Sequence, residues 1–141
     1  MCDSHETKTG DLLAELRSTQ KLESYLDQHT MQAPTLSDFL QSELRRRGLR
    51  RAKVLKEAQI EQTFGWYVFR GMRGMSRENV LKLSFAMGFD TRHANCALQA
   101  AGASILYPRH RRDAIIIYCL EHGQSLQQAN ETLYAFGEDC L

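Results

Sequence analysis

The sequence predicts an all-α protein, and three observations carry that expectation. Only two prolines occur in 141 residues, Pro34 and Pro108. The β-branched alternation that marks strands is scarce. Apolar residues recur instead at helical intervals, between glycines and short polar residues suited to capping.

The elements follow in order. Residues 9–29 hold Leu12, Leu13, Leu16, Leu22, Tyr25 and Leu26 in helical but imperfect spacing, and predict an N-terminal helix. His29 to Pro34 reads as a connector. Thr35 or Ser37 is placed to cap a helix carrying Phe39, Leu40 and Leu44, which stops at Gly48. A helix over about 50–58 presents Val54, Leu55 and Ala58, and one over about 62–70 presents Phe64, Val68 and Phe69 before Gly71. Ser76 caps the next, with Val80, Leu81, Leu83 and Phe85, closing at Gly88. Asp90 or Thr91 starts a further helix that ends at Gly102. After the extended Leu106-Tyr107-Pro108, a helix carries Ala114, Ile115, Ile116, Ile117, Tyr118 and Leu120 to Gly123. Its run of successive apolar positions predicts burial nearly all round. Ser125 and Gln128 have capping-box spacing for a last helix, ending at Gly137. The chain thus divides into an arm and connector over 1–34, a helical domain over 35–102 and a helical hairpin over 103–141.

At 43% hydrophobic and 25% charged residues, the composition is that of an ordinary globular protein. No apolar run approaches the roughly 18 residues of a membrane span, and MCDSHETKTG lacks the features of a signal peptide. Four cysteines (Cys2, Cys96, Cys119, Cys140) lack the density of a disulfide framework, so a reducing cytoplasm is the expected location.

The net charge of +1 argues against nucleic-acid binding only until it is resolved along the chain. Residues 1–43 carry a net of −5, residues 44–77 a net of +8 and residues 78–141 a net of −2. The basic block holds ten Lys and Arg and only Glu57 and Glu61 as acids. A polyanion responds to local field rather than to whole-chain charge, so this block is either a solvated face or a phosphate-facing surface.

The block coincides with GLRRAKVLKEAQIEQTFGWYVFRG, residues 48–71, which sets two short helices around a tight turn near Gln59-Ile60. With Val54, Ala58, Ile60 and Val68 as the apolar positions, this stretch resembles the lambda-repressor/Cro-type (XRE-like) helix-turn-helix. The resemblance continues through SRENVLKLSFAMGF and covers about residues 36–102. It implies a five-helix core, with an N-terminal helix and two C-terminal helices added. Leu55 stands where the family has a small Ala, and Gly65 where it has Ile or Val. Each change alone is disruptive, but together they conserve volume, with Leu55 filling the space that Gly65 vacates. Gln59 stands where the family often has Gly, which requires Gln59 to accept a left-handed conformation.

Carried across by position, the resemblance implies that Arg51 contacts a phosphate at the start of the first motif helix. Gln62 and Thr63 take the first exposed positions of the recognition helix, where Gln suits adenine. Trp66 and Tyr67 fall where base-reading residues sit, and Arg70, Arg73 and Arg77 flank the phosphate backbone. The aromatic run TFGWYVF leaves two readings open: Phe64 and Trp66 pack in the core or an interface, or they face the ligand. Tyr67 is the expected exposed member of the three. Glu61 is repulsive to phosphates unless it caps the helix.

Arg109, Arg111 and Arg112 form a second basic cluster at the start of the helix that follows Pro108, where they oppose the helix dipole and call for a partner. Acidic residues of the same chain, DNA phosphates and an acidic protein partner are the alternatives. His93, Cys96, Cys119 and His122 would make a Cys2His2 set, but buried cysteine and surface histidine explain them with less, so no metal is expected. No phosphate loop, nucleophile elbow or carboxylate cluster is present, and neither catalysis nor a cofactor is expected. The leading expectation is a sequence-specific, double-stranded-DNA-binding transcriptional regulator acting as a homodimer, with 62–70 in the major groove. The alternative is a helix-turn-helix domain serving as a protein-interaction module, with Trp66, Tyr67 and Phe69 as its anchors.

Overall fold

The computed structural model describes residues 9–29 and 35–141, and among them it contains nine α-helices and no strand. The chain divides into two compact units, Met1–Ala33 and Pro34–Leu141.

In the first unit the expected single helix is two, α1 (Thr9–Ser18) and α2 (Leu22–His29), packed on each other. The break falls at Ser18 and Thr19. Ser18 Oγ donates to the Glu15 carbonyl at 3.1 Å and Thr19 Oγ1 to the Lys21 carbonyl at 3.5 Å, a local competition for backbone groups that ends the helix. Leu13, Leu16, Leu22 and Leu26 stay exposed. Of the expected connector, residues 30–34 lie outside the described residues.

In the second unit each helix begins and ends where local chemistry directs. Thr35, rather than Ser37, caps α3 (Leu36–Arg47) by accepting from the Asp38 N–H, and Gly48 ends it at φ 63°. The helices α4 (Arg51–Glu57) and α5 (Gln62–Phe69) follow. Ser76 caps α6 (Arg77–Met87), and Asp90, rather than Thr91, caps α7 (Thr91–Ala100). The start of α8 (Arg111–Glu121) has no side-chain cap from its N-cap residue His110, whereas α9 (Leu126–Ala135) has the full capping box of Ser125 and Gln128.

α3 packs on α5 and α7, α4 on α5 and α6, and α6 on α7. Leu40, Leu55, Val68, Phe69, Leu81 and Leu98 are fully buried there. The hairpin of α8 and α9 rests on this group, α8 against α7 and α9 against α6. Of the expected all-round burial of α8, only part holds. Ile116, Cys119 and Leu120 are buried, but Tyr118 is 53% exposed. Successive helical residues point about 100° apart, so a run of four sweeps most of the circumference and one member faces out.

Candidate nucleic-acid interface

The turn between α4 and α5 sets the geometry of the site. Ala58 ends α4, Gln59 takes φ 58° as the sole non-glycine with positive φ among the described residues, and Ile60 is buried below the turn. Gln59 N–H donates to the Lys56 carbonyl at 3.1 Å and Ile60 N–H to the Leu55 carbonyl at 2.9 Å, so the last carbonyls of α4 are satisfied. The exposed Gln59 side chain thus accompanies the left-handed conformation that the sequence requires of this residue.

The crossing of α4 and α5 is tight at one point. A Cβ built on Gly65 would lie 2.3 Å from Leu55 Cδ1 and 2.4 Å from Cδ2, and Leu55 is 0% exposed. The Leu55 side chain occupies the volume that any larger residue at 65 needs. The exchange of sizes expected from the sequence is therefore what the two helices display.

Above this crossing, Arg51, Gln62, Thr63, Trp66 and Tyr67 line one shallow, open depression of about 340 Å³. Arg51, Gln62 and Thr63 are exposed, Trp66 is half-buried and Tyr67 is 40% exposed. Gln62 Nε2 donates to the Ala52 carbonyl at 2.8 Å, which ties its amide to α4 and leaves Oε1 and the second N–H. The Trp66 and Tyr67 rings meet edge to face with centroids 5.1 Å apart. The Arg70 guanidinium lies over the Trp66 ring, 4.7 Å from its centroid. Phe64 is half-buried like Trp66, and neither belongs to the buried core, so Tyr67 is the most exposed of the three. Glu61 is the N-cap residue of α5 but makes no side-chain cap bond, so its carboxylate remains exposed beside these residues.

The ten cations of the basic block separate into two groups. Arg46 and Arg47 pair with the buried Glu43 at 3.0 and 3.6 Å, and Arg47 also lies over the Phe89 ring. Arg77 turns away from the depression. It bonds the buried Asp113 at 2.9 Å and the carbonyls of Ser104 and Ile105, so it ties α6 to the loop before α8. Of the residues expected at the phosphates, Arg77 is thus the one whose guanidinium is bonded within the protein. Arg45, Arg50, Arg51, Lys53, Lys56, Arg70 and Arg73 are exposed, with no ion pair among the described residues. Four of these (Arg45, Arg50, Lys53, Lys56) are not distinguished as site residues by the motif, and their only signal in the sequence is membership of the +8 block.

The second cluster is used internally. Arg112 makes a two-pronged bond to Glu78 at 3.0 and 2.6 Å and also donates to the Asp139 and Cys140 carbonyls. Arg111 pairs with Glu138 at 3.2 Å and donates to the Phe136 carbonyl. Of the three readings left open for this cluster, acidic residues of the same chain satisfy these two; Arg109 stays exposed with no ion pair among the described residues. The Arg112 guanidinium hydrogen-bonded to Glu78 holds that carboxyl below its ordinary value, against a smaller upward push from burial. Among the described residues no group of three or more His, Cys, Asp or Glu is placed to hold a metal ion, and no helix is long and apolar enough to cross a membrane.

No protein-family model, curated protein or solved structure matches this chain. The functional reading therefore rests on the geometry. The depression gathers five of the eight residues assigned to DNA from the sequence, Arg70 joins them through Trp66, and Arg73 follows on the exposed loop after α5. Arg77 is the one member drawn elsewhere.

Proposed function

We propose that residues 35–102 form a lambda-repressor-like helix-turn-helix domain that binds double-stranded DNA sequence-specifically, with α5 as its major-groove helix. The observation that carries this reading is the convergence of Arg51, Gln62, Thr63, Trp66 and Tyr67 on one exposed depression at the α4–α5 crossing. Seven cations without ion pairs on this stretch support it. Among the described residues these cations meet no counter-charge, so they gain most from phosphates, since each neutralised phosphate releases a condensed counterion. Gln62 retains a carbonyl oxygen and an N–H, the acceptor and donor that adenine N6 and N7 require. In this reading Arg51, Arg70 and Arg73 hold phosphates, Gln62, Thr63 and Tyr67 approach base edges, and Arg77 fixes the start of α6 instead.

The family resemblance adds a two-fold homodimer and a role in transcription regulation. The exposed leucines of α1 and α2 favour an assembly, because helices of ten and eight residues cannot cover such a face alone. A second reading, a protein-interaction module, is favoured by one observation: Tyr67 and Met72 are both large, apolar and exposed, at 40% and 63%. Selection of the full-length protein against a random duplex pool at physiological salt separates the two. The DNA reading expects enrichment of a defined sequence bound at sub-micromolar protein. Absence of duplex binding at micromolar protein would overturn it in favour of the interaction module.

A further inference from the structure

We infer that the α4–α5 surface selects A·T base pairs through the 5-methyl group of thymine. The inference rests on the reading of α5 as a major-groove helix and adds the chemistry by which that helix discriminates.

The depression offers little to the other base pairs. The lining itself holds no carboxylate to accept from cytosine N4, and the exposed Glu61 stands beside it at the start of α5. Guanine is best read by a bidentate arginine, but in this reading Arg51, which lines the depression, and Arg70, which lies over the Trp66 ring, hold phosphates rather than base edges. The Trp66 ring, the Tyr67 ring set edge-on against it and the Thr63 methyl group supply apolar surface to the lining. The thymine methyl is the one apolar feature on the major-groove edge of the four base pairs, so it is the group that an apolar floor distinguishes.

Two further features make this surface a reader rather than a passive contact. The Trp66 and Tyr67 rings brace each other at 83°, and Arg70 lies over Trp66, so part of the side-chain freedom is already restricted before binding. Gln62, bonded to the Ala52 carbonyl, lines the same depression with the donor–acceptor pair that suits adenine. One A·T pair thus satisfies both halves of the site, adenine at the amide and the thymine methyl at the rings. Tyr67 is 40% exposed before binding, which leaves apolar ring surface for the methyl to cover.

The experiment uses full-length protein and the duplex enriched from a random pool, resynthesised with deoxyuridine in place of each thymine in turn. Uracil pairs as thymine does and lacks only the methyl. At one or two positions in each half-site, affinity falls about fourfold per methyl, the change that loss of one buried methyl group produces. In Tyr67→Ala, which removes a half-exposed side chain outside the core, the deoxyuridine penalty at those positions shrinks toward unity. Duplex binding that is indifferent to deoxyuridine overturns the inference and leaves the DNA-binding reading intact. A penalty of equal size in wild type and Tyr67→Ala overturns the assignment to the aromatic pair. Failure to bind any duplex overturns both.

Discussion

The two arginine clusters of this chain share a residue type but face different surroundings. At the start of α8, Arg111 and Arg112 reach Glu138 and Glu78, and the backbone carbonyls of the C-terminal segment take their remaining donors. Neighbouring residues of α6 pair reciprocally with neighbouring residues of α8, Arg77 with Asp113 and Glu78 with Arg112. Around α4 and α5 the described residues supply no such acids: Glu57 and Glu61 are exposed and make no ion pair with the seven open cations. The first arrangement uses its charge to hold helices together. The second leaves its charge exposed, and that difference is what the proposed DNA contact draws on.

The closed cluster responds most strongly to loss of its buried acid. Asp113, 5% exposed, accepts from Arg77 and from the Tyr107 N–H, so Asp113→Ala strands both donors. It lowers stability by about 3 kcal/mol in urea unfolding, because an uncompensated charge remains at a part-buried site. Next in size is the packing beneath the open cluster. Gly65→Val drives a branched side chain into Leu55 and costs roughly 2–3 kcal/mol. Adding Leu55→Ala restores much of that stability in thermal unfolding, because the pair again conserves volume.

A smaller effect separates the clusters by pH. Glu78 has its folded value lowered by Arg112, so the stability of this pair is present above the unfolded value near 4.5 and is lost as pH falls through the folded value. Glu78→Gln lowers Tm at neutral pH, and the gap to wild type closes in acid. The smallest change is a gain. Gln59→Gly relieves the φ of 58° and raises stability by about 0.5–1 kcal/mol in the same unfolding assay, since the exposed side chain it removes packs on nothing in the core.

These outcomes also indicate which parts of the molecule are legible in the sequence. Ser76 and Ser125 are readable as caps, and Thr35 and Asp90 each as one of two candidates, because a capping bond spans three residues and depends on one side chain. The fit of Leu55 against Gly65 is readable because the two residues stand on adjoining short helices and only their volumes need comparing. The division of residues 9–29 is not readable, since Ser18 and Thr19 are tolerated inside helices as well as at their ends. Nor is the fate of Arg77, which in sequence is one more cation in a basic run. Its partner Asp113 stands 36 positions away, and only the docking of α8 brings the two together. The arginines of α8 illustrate the same point: charge is local in sequence, while pairing is decided by packing.

The most direct test compares the two clusters in one assay, the salt dependence of binding to the selected duplex. Arg51→Ala with Arg70→Ala should weaken binding and reduce the log–log salt slope by about 2, close to 0.9 for each phosphate left without its arginine. Arg111→Ala with Arg112→Ala, measured below its own Tm, should lower thermal stability and leave that slope unchanged. An unchanged slope in the first variant, or an equal reduction in both, would contradict the assignment of the open cluster to DNA.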